Sequence, residues 1–499
     1  MRPVEAAFAG ELARVRPELS GRYAAELPGA RAAVMGRLWR GLLYEPLPGL
    51  RAAGPGCVVL ADGRRLIGPE RRPYDVRDEP ELLLEGKPRT HPAALLEALA
   101  LPGTAALVED LDNSVASLAL SRAGASKEAP KTPEEHEQSV IDGHPYHPGC
   151  RNRPGVSVAE QLAYMPEHRP TVHLDLLALP ARDCLVTGPW PFVDGDRLLL
   201  PVHPWQTRHV LAGLGFRPHV TGALPARPLM SVRTLAPLDG GPHLKTAFTT
   251  RMTSGVRDIS PGSVRDCVPL SDLLTTVAEQ GGGLRIARYL AGAAGPVNGR
   301  PSADVSVMLR DPTQDPDPVL PLAALPTRAT ATWLETLARL LWEGALGMLA
   351  HGIALEAHGQ NLLVVLDGDG RPYRLIYRDL ADVRISPERL ARHGIETPPV
   401  SARLLSDDPA VLHAKLLGSL AATTFGSLIS AVGRGDRAVE GELWHVVAAA
   451  ARDAADVLPA ADRAALFAER LPAKAHLLTR VRGTGDHWTS LPNPLLDVL

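Results

Sequence analysis

The sequence predicts an α+β fold in three lobes, on three observations. At 499 residues the chain is longer than one ordinary core can organise. Helical periodicity gathers towards the two ends, while short strand-like runs separated by Pro and Gly fill the middle. Two aperiodic stretches, RAGASKEAPKTPEE at 122–135 and DPTQDPDPVLPLAALPT at 311–327, separate these regions. The expected lobes are a helical one at 1–130, a β-rich one at 131–325, and one at 326–499 that joins a hairpin to helices.

Taken in order, apolar residues at three- and four-residue spacing predict helices over 6–15 and 30–43. A hairpin follows over 57–67, turning at Asp62-Gly63. Residues 91–101 and 107–121 are again helical in pattern. The middle predicts strands over 169–177, 197–202, near Val220, and over 229–234 and 244–252, with helices over 273–280 and 284–294. A long amphipathic helix is expected over 331–350, with Leu334, Leu337, Leu341, Ala345 and Met348 on its packing face. Gly352 would terminate it. The runs LLVVL and Tyr373 to Tyr377, joined by Asp367-Gly368-Asp369-Gly370, predict a second hairpin. Helices over 409–434, 439–455 and 460–475 complete the chain.

Bulk properties exclude several function classes. Hydrophobic residues make up 45% and charged residues 22%, the balance of a soluble globular protein. No uninterrupted apolar run approaches a membrane span, and MRPVEAAFAGELARVRPELS lacks the apolar segment of a signal peptide. A cytoplasmic protein is expected. Cys57, Cys150, Cys184 and Cys267 lack the spacing of a disulfide framework or a zinc ribbon. A net charge of −3 without a basic tail argues against nucleic acid as partner. Only six of 53 basic residues are lysine, so each lysine marks a place that suits a compact ammonium better than a planar fork.

Four segments carry chemistry. The second hairpin brings Glu356, His358, Gln360 and Asn361 from before one strand to Arg378 and Asp379 after the next. Carboxylates and an amide oxygen so placed suit Mg²⁺, which takes oxygen ligands and shares them with nucleotide phosphates. Protein kinases place an Asn and an Asp similarly, and a polar loop capping a hairpin would look the same. The turn Gly143-His144-Pro145-Tyr146-His147-Pro148-Gly149-Cys150-Arg151-Asn152-Arg153 offers imidazoles and guanidiniums to an anion. Alternation along Ser231-Val232-Arg233-Thr234 would point Ser231 and Arg233 to one side of a strand, as phosphate-oxygen donors. Lys245 opens a strand that can pair with it, and Thr253, Ser254 and Arg257 form a polar turn suited to a carboxylate. The chain contains no GxGxxG, GxxxxGK[ST] or GxSxG sequence.

In this order and spacing, the four segments resemble the NRPS-independent siderophore synthetases, the aerobactin-synthetase-like family. Its marks are a GHPxHPxxKxRxG turn, an SxRT strand, a K…T…R segment, and an EAHxQN hairpin followed by RD. The match covers roughly residues 85–385. The resemblance implies a cupped hand whose thumb, fingers and palm correspond to the three lobes, and an ATP- and Mg²⁺-dependent, AMP-forming ligase. Such an enzyme adenylates a carboxylic acid, usually citrate, and condenses it with an amine or hydroxylamine, commonly as a homodimer. Carried over, Ser231, Arg233, Thr234 and Lys245 would hold the ATP phosphates, with His144, His147 and Arg151 closing over them. Gln360 and Asn361 would also contact the nucleotide, and Glu356, Asn361 and Asp379 would hold Mg²⁺. Thr253, Arg257 and His358 would meet the acid, and Lys245, Arg257 and His358 would be the catalytic groups. One departure is Arg151, which stands where the family has lysine. The alternative that the hairpin alone permits is a kinase-like phosphotransferase acting on a small molecule.

Overall fold

Among the described residues the largest sheet has nine strands. In spatial order they are Leu185–Thr187, Tyr289–Val297, Arg300–Arg310, His243–Thr246, Thr234–Pro237, Val220–Pro228, Val172–Pro180, Arg197–Val202 and Val193–Asp194. The computed structural model describes residues 1–253, 255–325, 330–483 and 485–496. Ser254 and part of the 311–327 connector lie outside them.

The N-terminal helices form as expected, at Pro3–Val15, Ser20–Tyr44, Pro92–Leu99 and Ala105–Gly124. The hairpin at 57–67 is there too, as Cys57–Leu60 and Arg65–Ile67 within a five-stranded sheet. Their shared apolar core also takes in Ala475, Leu477 and Leu478 from the far end of the chain.

Helix Ala331–Ala350 buries the expected face, Leu334, Leu337, Leu341, Ala345 and Met348, in the largest core cluster. Gly352 follows its cap at φ +102°, a backbone region glycine occupies without strain. The second hairpin pairs Leu362–Leu366 with Pro372–Tyr377, and Leu362 lies opposite Tyr377. In its turn Asp367 Oδ1 accepts hydrogen bonds from the Asp369 and Arg371 amides at 2.9 and 2.8 Å. Antiparallel pairing brings Asn361 beside Arg378, whose amide donates to the Asn361 carbonyl at 3.0 Å.

Four expectations are corrected. Residues 229–233 form a turn, and the strand begins only at Thr234. Val232 there adopts φ +65°, and the Ser231 hydroxyl donates to Thr234 Oγ1 at 2.8 Å, so alternation no longer sorts Ser231 and Arg233 to one face. Residues 284–294 are strand instead of helix; helix Pro261–Val277 packs against Tyr289–Val297, and a Cβ on Gly292 would meet Val264 and Cys267 near 3.2 Å. Packing decides the outcome over an Ala-rich pattern. The connector contributes Val319–Pro321 to the hairpin's sheet. The helix expected over 460–475 stops at Leu466, because Arg470–Lys474 pairs with Trp488–Pro492.

The helical segment Pro409–Gly433 is long and apolar enough to cross a membrane, yet 72% of its most apolar window is buried inside the molecule. It includes a π-helical stretch at Leu420–Phe425, a geometry frequent beside functional sites.

Candidate active site

A cavity of about 610 Å³ is lined by all four motif segments and by residues from the C-terminal helices. Lys245 enters it from strand His243–Thr246, opposite Thr234. Its ammonium contacts Asp379 Oδ1 directly and donates to the Tyr289 hydroxyl at 3.0 Å. The Tyr289 hydroxyl in turn donates to Asp379 Oδ1 at 2.8 Å. Burial pushes the Lys245 pKa down to about 8, partly offset by attraction to Asp379. Burial alone would raise the Asp379 carboxyl, but Lys245 and Arg233 outweigh it and hold the group ionised, well below the usual range. The middle of the chain and the end of the hairpin thus meet across one cleft.

Backbone strain collects here. Val232, Thr253 and Asp379 all line the cavity and all have positive φ, at +65°, +58° and +70°. For β-branched Val and Thr this conformation costs on the order of 1–3 kcal/mol, which surrounding structure must offset. At Val232 the turn is pinned by its amide donating to the Leu229 carbonyl at 2.8 Å. Arg233 donates to the Asp258 carbonyl and lines the cavity beside Arg257. Burial, and then repulsion from Arg233, lower Arg257 to about 10, which still leaves it cationic near neutrality. Two such cations side by side favour an anionic guest.

Glu356, His358, Gln360 and Asn361 reach the cavity from the loop and turn that precede the hairpin's first strand, not from the strand itself. The Asn361 amide nitrogen donates to the Glu356 carbonyl at 3.1 Å, which fixes its plane. Burial lowers His358, so its imidazole is neutral near pH 7 despite the pull of Glu356. Among the described residues no set of three or more His, Cys, Asp or Glu side chains is disposed to hold a metal. The oxygen set Glu356, Asn361 and Asp379 contains only two carboxylates, which fits Mg²⁺, an ion that completes its shell with water and phosphate. The Lys245 ammonium against Asp379 shows that the carboxylate already accepts a positive charge on its cavity side.

In the turn at 143–155, His144, His147, Arg151 and Arg153 all line the cavity, and the two arginines are also tied to neighbouring loops. Arg151 donates to the Ile141 and Val140 carbonyls at 2.6 and 2.5 Å, and Arg153 pairs with Glu167 at 2.7 Å. Both groups thus brace loops while also lining the cavity. His144 Nδ1 accepts from the Tyr146 and His147 amides at 3.2 Å each, and His147 Nδ1 accepts from Gly149 at 2.9 Å. Each ring is therefore neutral with its proton on Nε2. Burial, followed by nearby cations, lowers His147 to about 3.

Among the cavity residues that escaped the sequence reading are Lys415, Lys474 and His476. Lys415 donates to Glu356 Oε1 at 3.3 Å and Lys474 pairs with Asp486 at 2.8 Å. His476 stacks edge-on to His144 at 4.6 Å. Three of the chain's six lysines line this one cavity, so lysine scarcity was the one sequence signal that pointed towards Lys415 and Lys474.

Residues 132–327 match the IucA / IucC family, and residues 331–487 match a family described as ferric iron reductase FhuF-like transporter. A Staphylococcus aureus 2-[(L-alanin-3-ylcarbamoyl)methyl]-3-(2-aminoethylcarbamoyl)-2-hydroxypropanoate synthase is 28% identical over 112 residues. That match spans 16% of this chain and 18% of the synthase's own length. The petrobactin biosynthesis protein AsbB from Bacillus anthracis superposes with a TM-score of 0.79 at 18% identity, covering 96% of this chain and 98% of that one. ATP-bound aerobactin synthetase IucA from Klebsiella pneumoniae gives 0.76 at 18% identity, over 93% and 99%. Aerobactin synthetase IucC from Klebsiella pneumoniae gives 0.71 at 18% identity, over 95% and 98%. The chain therefore has the α+β fold of these proteins, and its 132–327 segment matches the family that the motifs resemble.

Proposed function

We propose that this chain, with the siderophore-synthetase fold and an IucA / IucC segment at its centre, is an ATP-dependent, AMP-forming ligase. In this reading it joins a carboxylic acid to an amine or hydroxylamine in siderophore biosynthesis. The observation that carries it is the contact between Lys245 and Asp379 across a cavity that also holds Arg257, Lys415 and Lys474. An ammonium beside a cation-binding carboxylate suits a polyphosphate, and three further cations suit a polycarboxylate such as citrate.

The chemistry follows from charge. A carboxylate is a poor electrophile until its oxygen becomes part of a better leaving group. A carboxylate oxygen attacks the α-phosphorus of ATP, the bond to the β-phosphate bridging oxygen breaks, and pyrophosphate departs. Lys245, Arg233 and the Ser231 hydroxyl stabilise the charge that builds on the departing phosphates. Glu356, Asn361 and Asp379 would hold Mg²⁺, which supplies further neutralisation of phosphate charge when bound. Arg257 and Thr253 orient the acid, so that one chosen carboxyl lies in line for attack. The amine then attacks the acyl carbon, AMP leaves with the C–O electron pair, and the nitrogen gives up a proton to complete the amide. Neutral His358 lies beside Glu356 as an acceptor for that proton.

Incubation with ATP, hydroxylamine as surrogate nucleophile, and citrate, 2-oxoglutarate or succinate tests this reading. AMP and pyrophosphate are expected in equal amounts; release of ADP would establish the kinase-like alternative instead.

A further inference from the structure

One buried carboxylate outside the cavity touches both of its ligand-facing edges. Glu137 lies in the last turn of the short helix Pro133–Gln138 and is 2% exposed. Its two oxygens take the Arg378 guanidinium bidentately, Oε1 from Nη1 at 2.5 Å and Oε2 from Nη2 at 2.9 Å. Oε2 also accepts the Met230 amide at 3.1 Å, one residue before Ser231. The adjacent Gln138 side chain donates to the Pro228 carbonyl at 3.0 Å, at the start of the same turn. On the other side, Arg378 donates through Nε to the Gln360 carbonyl and through its backbone amide to the Asn361 carbonyl, both at 3.0 Å. Asp379 is the next residue.

We propose that Glu137 is a positioning residue that sets the distance between the Ser231–Arg233 turn and the strand ends bearing Asn361 and Asp379. The inference rests on the reading of this cavity as a nucleotide site. A buried ion pair contributes little net stability compared with an apolar pair of the same volume, because desolvation cancels most of the attraction. Its placement answers to geometry instead. A nucleotide held by its phosphates on the turn and through Mg²⁺ on the strand ends is bound well only if the two edges keep a fixed separation. Glu137 links them directly, through its hydrogen bond with the Met230 amide on one side and through Arg378 to Gln360 and Asn361 on the other. Supporting contacts of this kind typically alter affinity by about 10- to 100-fold when removed, although they touch no ligand.

The test measures how much Mg²⁺ strengthens ATP binding, by calorimetry with and without the ion, together with Michaelis constants and melting temperature. Glu137→Gln should keep ATP binding without Mg²⁺ within about threefold but lose on the order of tenfold of the enhancement by Mg²⁺. The Michaelis constant for the acid should move less than twofold. Because Glu137→Gln leaves Arg378 buried and uncompensated, the paired variant Glu137→Gln/Arg378→Gln is measured beside it. The pair should regain the wild-type melting temperature without regaining the enhancement, whereas Glu137→Asp, which keeps the charge, should regain part of it. Wild-type enhancement in the paired variant, or losses that fall equally on ATP and acid, would overturn the proposal. Absence of ATP binding by the wild-type protein would instead overturn the reading of the cavity itself.

Discussion

In the turn at 143–155, Arg151 and Arg153 are bound to two loop carbonyls and to the buried Glu167. At the hairpin end, Glu356 and Asp379 are bound to Lys415 and Lys245, whose ammonium groups face a cavity. The first set of charges is locked in place by structure; the second can trade its partners for a ligand. Residue identity looks alike in the two segments. What separates them is whether the counter-charge comes from the frame or from the cleft.

Breaking the locked set should affect stability most. Arg153→Ala leaves Glu167 buried without its cation and should cost about 3–5 kcal/mol. Chemical denaturation would show the loss, while pyrophosphate formation per folded molecule stays near wild type. Breaking the exchangeable set should do the reverse. Lys245→Ala should cost on the order of 3 kcal/mol of transition-state stabilisation, roughly a hundredfold in pyrophosphate release, with little change in melting temperature. Near wild-type turnover in that variant would erase the distinction.

A pH series sharpens the comparison further. Burial holds His147 neutral down to about pH 3, whereas an exposed histidine takes its proton near 6.5. Between those values the unfolded chain binds a proton that the folded chain does not, so stability falls as pH falls through this window. His147 alone should lower unfolding free energy by about 2 kcal/mol between pH 7 and pH 5. His147→Asn, whose side-chain oxygen can still accept from Gly149, should flatten that slope by the same amount. The smallest effect is expected for Arg151→Lys. It loses a hydrogen bond to the loop carbonyls, worth about 1 kcal/mol in denaturation, and should leave the Michaelis constant for ATP within about twofold.

Much of this arrangement was legible in the sequence. Asp367-Gly368 and the flanking apolar runs fix the hairpin, and with it the meeting of Asn361 and Asp379. Lys245 was readable as the partner of the Thr234 strand because both are short, bounded strand patterns. Ser231 and Arg233, read as donors on one side of a strand, line the cavity from a turn instead, since a positive φ at a valine leaves no local mark. The run at 284–294 has helical residue types; only the helix packed on it makes small residues in a strand the stable choice. Arg153 looked available because its partner Glu167 follows a helix and a turn later, beyond the reach of any local pattern. Lys415, Lys474 and His476 arrive from distant elements, and composition alone hinted at the lysines.

The helix His476–Arg482 places Leu477 and Leu478 inside the apolar core made by the first 120 residues, where Glu45 accepts the Leu478 amide at 3.0 Å. On a ribosome, those N-terminal helices emerge long before the segment that completes them. Those helices must wait, with a gap in their interior, until the segment that carries Leu477 and Leu478 has been made. Because His476 lines the cavity, the segment that fills the N-terminal interior also completes the cavity wall, and its loss would leave both unfinished.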